Sequence, residues 1–203
     1  MAMPRLKMDS KKDFVTIENV VASTSLNQRL DLDSISKAFP NVEYRPEHFP
    51  GLIYKLRKPR TSTLIFSSGK MICTGAKSEY QAKKAIMKII ETLRNNGIII
   101  IGKPEIKIQN IVASADLKGE IDLEQAANFL ERTIYEPDQF PALIYKMVEP
   151  KVVVLLFSRG KLICAGGKKE SEVKEAIKKL KETLEEMGII AYREVTPLSP
   201  ISF

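Results

Sequence analysis

The chain has 203 residues, 44% of them hydrophobic, enough to bury a substantial core as one domain or two. No apolar run approaches the roughly 18 to 20 residues of a membrane helix, and the start, MAMPRLKMDSKKDF, lacks the apolar centre of a signal peptide, so a cytoplasmic protein with no membrane partner is expected. A formal net charge of +7 favours polyanionic partners, whereas two cysteines, Cys73 and Cys164, without CxxC spacing, and a single histidine, His48, give no metal cluster and predict buried free thiols.

After an N-terminal tail at 1–14, the β-branched run at 15–23 predicts a strand. Asp31 or Asp33 then caps a short helix holding Ile35, Ala38 and Phe39. Strands follow near 42–45, 51–57, 61–67 and 70–75, joined by turns at Lys58 to Arg60 and at Ser68 and Gly69 that are too short for anything but antiparallel hairpins. Ala82, Ala85, Ile86, Ile89 and Leu93 recur at helical spacing in a long amphipathic helix, opened by a box of Ser78 with Gln81 and stopped by Gly97. Residues 99–105, with Gly102, Lys103 and Pro104, read as a linker.

The same order is then written again. Residues 15–98 align with 106–189 at a constant offset of 91 without a gap, and about 36 of the 84 paired positions are identical. ENVVAS becomes QNIVAS, FPGLIYK becomes FPALIYK, and LIFSSGKMICTGAK becomes LLFSRGKLICAGGK. Asp122 caps the second short helix with Leu123, Ala126, Ala127 and Leu130; Val173, Ala176, Ile177, Leu180 and Leu184 form the second long stripe before Gly188, and residues 190–203 read as a C-terminal tail. Two copies of this length are not a solenoid array. They imply one pseudo-two-fold object, suited to a target with its own approximate dyad, such as duplex DNA.

The halves differ in charge: residues 1–102 hold 17 Lys and Arg against 9 Asp and Glu, and residues 103–203 hold 15 against 16. Two helices per repeat cover only one face of an antiparallel sheet, yet the strands are apolar on both faces: Thr63 and Ile65 oppose Leu64 and Phe66, and Val152, Val154 and Leu156 oppose Val153, Leu155 and Phe157. The face with Met71 and Cys73 is assigned to the helices, since Lys70 lies on the other. The open face then presents Asn19, Val21, Leu64, Phe66, Ile72 and Thr74, with Asn110, Val112, Leu155, Phe157, Ile163 and Ala165, between Lys55, Lys70, Lys77, Lys146, Lys161 and Lys168. So large an apolar patch marks an interface. A homodimer on that face, or a core closed by the other repeat, is one reading, and a protein-binding module for peptides or self-association is another. A phosphate backbone on either side of a shallow groove accounts better for six like charges. No glycine-rich phosphate loop, nucleophile–base pair or metal cluster suggests an enzyme, and no cofactor is implied.

The doubled motifs closely resemble those of the TATA-box-binding protein family, archaeal type, over about residues 15–190. The resemblance implies an α+β saddle: one curved ten-stranded antiparallel sheet built from two pseudo-symmetric repeats, with two helices per repeat on the convex face. It implies a general transcription initiation factor whose concave underside binds the minor groove of TATA-box duplex DNA in the cytoplasm, at the nucleoid. The kink is about 80°, a magnitude taken from the family. Carried over by position, the intercalating pairs are Phe49 with Phe66 and Phe140 with Phe157. Asn19 and Asn110 meet groove acceptors, and Val21 and Val112 line the floor. Leu64, Ile72, Thr74, Leu155, Ile163 and Ala165 complete that floor, and the six lysines with Arg159 meet phosphates. Glu136 and Asp138 match acidic positions that receive transcription factor B, through which RNA polymerase is recruited indirectly. Departures include His48 before Phe49, Ala165 opposite Thr74, Arg159 opposite Ser68, and a C-terminal segment after Tyr192 with no acidic tail.

Overall fold

The computed structural model describes residues 14–192; the rest of the N-terminal tail and the non-acidic C-terminal run lie outside the described residues. The first copy comprises β1 (Val15–Ser25), α1 (Leu32–Ala38), β2 (Val42–Glu43), β3 (Gly51–Arg57), β4 (Arg60–Phe66), β5 (Lys70–Ala76) and α2 (Glu79–Asn95). The second comprises β6 (Lys107–Asp116), β7 (Gly119–Ile121), α3 (Leu123–Phe129), β8 (Thr133–Ile134), β9 (Ala142–Met147), β10 (Val152–Phe157), β11 (Lys161–Gly167), α4 (Glu170–Glu186) and β12 (Ile190–Tyr192). Ten strands form one antiparallel sheet in the order β2-β3-β4-β5-β1-β6-β11-β10-β9-β8, so the two copies meet at a β1–β6 seam.

The hairpins rest on glycine. Gly69 and Gly160 have φ of +82° and +80°, and a Cβ on either would lie 2.3 Å from a backbone oxygen, of Gln28 and Gly119 respectively. These tight turns dock onto the chain leaving β1 and β6: Leu26 N–H donates to Gly69 C=O at 3.0 Å and Leu117 N–H to Gly160 C=O at 2.8 Å.

Helix starts follow the expected chemistry with two differences. Asp31, rather than Asp33, caps α1, accepting from the Asp33 and Ser34 N–H groups, and Asp122 caps α3 by accepting from Gln125 N–H at 3.0 Å. Ser78 accepts from Gln81 N–H at 3.1 Å, but the Gln81 carboxamide reaches back to Lys77 N–H at 3.1 Å, one residue before the cap, so the expected box is shifted by one position. At the start of α4, Lys169 has no side-chain acceptor, and Glu172 takes the Lys168 and Lys169 N–H groups. The two long helices also cap each other. Glu79 accepts from Glu170 N–H and Glu170 from Glu79 N–H, both at 2.8 Å, across the pseudo-dyad.

The core lies between the helices and the strand face that holds Met71 and Cys73. Val20, Ala22, Ile65, Met71 and Cys73 pack with Ile86, Ile89, Ile90 and Leu93, and Ile111, Val154, Leu156 and Cys164 with Ile177, Leu180 and Leu184. Both thiols are free and buried. Burial pushes the Cys164 thiol up to about 12 and raises Cys73 as well, where the Thr63 and Thr61 hydroxyls oppose the rise.

Two short strands, β7 and β12, are absent from the sequence reading. Strand β12, in the stretch read as tail, pairs with β7 from Ile190↔Ile121 to Tyr192↔Gly119, extending the second copy beyond Ile189. In the first copy one side chain does this work: Gln28 donates to Ile99 C=O at 2.6 Å and accepts from Ile101 N–H at 3.4 Å. Residues 99–101 are thus held against the fold, with Ile100 buried.

Candidate functional site

Among the described residues nothing packs over the second face of the ten-stranded sheet. Alternation along the strands turns Asn19, Val21, Leu64, Phe66, Ile72 and Thr74 outward, with Asn110, Val112, Leu155, Phe157, Ile163 and Ala165, and every one of them remains at least partly exposed. Ile163 is 38% exposed and Val153 39%, on strands whose opposite faces are fully buried. An apolar sheet face of this size without a cover is a surface built for a partner.

A phenylalanine pair stands toward each end of it. Phe49 packs on Phe66 edge to face at 5.9 Å between centroids, and Phe140 on Phe157 at 6.4 Å. Phe49 and Phe140 are 39% and 41% exposed. Their turns are alike: Arg45 C=O accepts from Phe49 N–H, and Glu136 C=O from Phe140 N–H. The spacing differs for a local reason. A Cβ on Gly51 would lie 2.7 Å from the Phe49 ring, so glycine lets that ring settle onto Phe66, whereas Ala142 has a Cβ at the equivalent place.

The asparagines sit near the centre of the face, each with its amide oriented by backbone. Asn19 Oδ1 accepts from Gly75 N–H at 2.7 Å, and Asn110 Oδ1 from Gly166 N–H at 2.8 Å. Engaging the oxygen leaves the amide N–H groups for other acceptors. Asn19 Nδ2 donates to Thr74 Oγ1 at 3.1 Å. Ala165 occupies the second-copy position, so Asn110 Nδ2 has no such hydroxyl partner.

All six lysines and Arg159 are exposed at the margins of the face, but they are not equivalent. Lys55 pairs with Glu43 at 2.5 Å, and Lys77 with Glu18 at 3.0 Å. Glu18 also accepts from Ser114 Oγ at 2.6 Å. That hydroxyl first, then Lys77, holds the Glu18 carboxyl below its usual value, and Lys55 does the same for Glu43. Lys146 and Lys168, the second-copy equivalents, have no carboxylate within ion-pair distance among the described residues. These acidic partners escaped the sequence reading, although the alignment held the signal: Glu18 faces Gln109 and Glu43 faces Ile134. Elsewhere, His48 is exposed beside Glu47 at 3.9 Å, and Glu136 and Asp138 lie exposed in the loop before Phe140. The described residues contain no cluster of His, Cys, Asp and Glu able to hold a metal and no helix long and apolar enough to cross a membrane.

Comparison with known proteins places this geometry. The family described as "Transcription factor TFIID (or TATA-binding protein, TBP)" matches residues 14–96 and 105–187. The chain is 48% identical over 187 residues to the TATA-box-binding protein of Pyrobaculum calidifontis, covering 92% of this chain and 94% of that one. It is 51% identical over 179 residues to that of Sulfolobus acidocaldarius, covering 88% and 91%. Among solved structures, Methanococcus jannaschii TBP superposes with a TM-score of 0.76 at 49% identity, covering 85% of this chain and 98% of that chain.

Proposed function

Because this chain belongs to the TATA-box-binding protein family, a family of general transcription factors and not of enzymes, we propose that its open sheet face binds the minor groove of A·T-rich promoter duplex. In this reading it kinks the duplex with its phenylalanine pairs and presents the complex to transcription factor B, and through it to RNA polymerase, at the archaeal nucleoid. The observation that supports this most is the pairing of two exposed Phe–Phe wedges with an uncovered apolar floor between them.

The energetics are compatible with wedging. A phenylalanine offers roughly 200 Å². With 39% and 41% of Phe49 and Phe140 exposed, each leading ring has about 80 Å² left to bury, worth about 2 kcal/mol at about 25 cal/mol per Å². The partner ring adds a smaller amount, so a pair supplies energy on the order of the few kcal/mol that unstacking one base step costs. Base preference follows from the floor. Adenine and thymine present only acceptors in the minor groove, which suits the asparagine N–H groups, while the guanine amino group would meet Val21, Leu64, Val112 and Leu155. Easily deformed TA steps lower the cost of the kink.

Margin lysines and Arg159 take phosphates, which positions the duplex without reading it. Selection of bound duplexes from a random pool, read by sequencing, tests the reading: an enriched A·T-rich tract is expected, and a pool left unenriched counts against it. Self-association through the same face would be displaced by a TATA duplex in size-exclusion profiles.

A further inference from the structure

The margins of the open face are electrically lopsided in a sense opposite to the chain as a whole. The first half of the sequence is the basic one. On the sheet face, however, its lysines at 55 and 77 are engaged by Glu43 and Glu18, at 2.5 and 3.0 Å. Both acids belong to that face. Glu43 lies opposite Ile53 in the β2–β3 register, two residues from Lys55, and Glu18 lies beside Asn19 and reaches Ser114, an outward residue of β6. Glu18, Asn19, Lys55, Thr74 and Lys77 line one recess of about 610 Å³. In the second copy the acids are replaced by Gln109, whose amide donates to Ser23 Oγ at 2.7 Å, and by Ile134, leaving Lys146 and Lys168 uncompensated.

Resting on the duplex-binding reading above, we propose that Glu18 and Glu43 are specificity-determining residues that weaken phosphate capture by the first repeat. The second repeat, acidic in total, then becomes the dominant electrostatic grip. A lysine that neutralises a phosphate releases a condensed counterion and contributes about 0.9 to the slope of log K against log salt. A lysine already balanced by a carboxylate brings no net charge to the phosphates, and the carboxylate adds repulsion at groove distance. First-repeat lysines at 55 and 77 therefore add little to the slope, and a duplex engages most firmly at the end held by Lys146, Lys168 and Arg159. The two ends of the site differ in grip even where the base sequence is symmetric.

The repeat supplies its own variants. Glu18→Gln with Glu43→Ile installs the second-repeat residues in the first, and Gln109→Glu with Ile134→Glu does the reverse. Affinity for an A·T-rich duplex is measured by fluorescence anisotropy from 0.1 to 1 M salt. The first swap is expected to steepen the slope by about 2 and to raise affinity at 0.15 M by about 30-fold, with the curves converging near 1 M. The reverse swap is expected to flatten the slope by a similar amount. Wild type binding with a slope that neither swap moves overturns this inference alone. Wild type with no affinity for the duplex overturns the function and this inference together.

Discussion

The two repeats share a backbone and differ in what they place on it, and the differences fall into two kinds. On the core side, β4 points Thr61 and Thr63 inward where β10 points Val152 and Val154, each row beside a buried cysteine. On the open side, the first repeat adds two acids beside its lysines and a hydroxyl beside Asn19, and the second removes all three. The core differences preserve shape, since threonine and valine fill nearly the same volume. The open-side differences alter charge and hydrogen bonding and leave the strands in register. The scaffold is thus two-fold, while the charge and hydrogen bonding of the open surface are not.

The largest effect that probes this contrast is on bending. Phe157→Ala is expected to abolish the bend at the second-repeat end and Phe66→Ala at the first. The check is the end-to-end fluorescence distance on a doubly labelled promoter duplex, and a distance that stays at its wild-type value for Phe157→Ala would contradict the wedge. Next comes partner recruitment. Glu136→Arg places the basic character of Arg45 in the second repeat; it is expected to weaken the ternary complex with transcription factor B more than tenfold, with duplex affinity nearly unchanged, as read by gel mobility.

Smaller effects concern the core. Because the folded Cys164 thiol stands at about 12 against an ordinary 9.0, the folded chain keeps a proton that the unfolded chain sheds. Stability is full below pH 9 and falls as pH rises toward about 12, by at most about 1.4 kcal/mol per pH unit. Cys164→Ala should remove that component from denaturation midpoints measured across the range; an identical pH profile in the variant would refute it. Smallest is Thr63→Val. The Thr63 hydroxyl is buried without a hydrogen-bond partner, apart from the weak thiol of Cys73. Installing the residue found at Val154 should stabilise the fold by about 1 kcal/mol in urea titrations, and a loss of stability would show the hydroxyl to be satisfied.

What was legible in the sequence follows from range. Strand faces, helix stripes and caps depend on neighbours a few residues apart, so Met71 and Cys73 could be assigned to the core and Leu64 and Phe66 to the open face from alternation alone. The doubled strings named the fold. Contacts that join residues distant in the chain were hidden: Glu79 with Glu170, Lys77 with Glu18, Gln28 with Ile99 and Ile101. The three-residue strands β7 and β12 are too short to show a period and exist only because they meet each other.

The proposed function requires the open face to read a duplex from its minor groove. Inosine paired with cytosine presents the minor groove of an A·T pair but, apart from that, resembles G·C in the major groove. Affinity for a TATA duplex in which every A·T pair is replaced by inosine·cytosine should stay within a few-fold of the original, while replacement by G·C should cost well over a hundredfold. Loss of binding on the inosine duplex, to the level seen with G·C, would exclude readout from the minor groove.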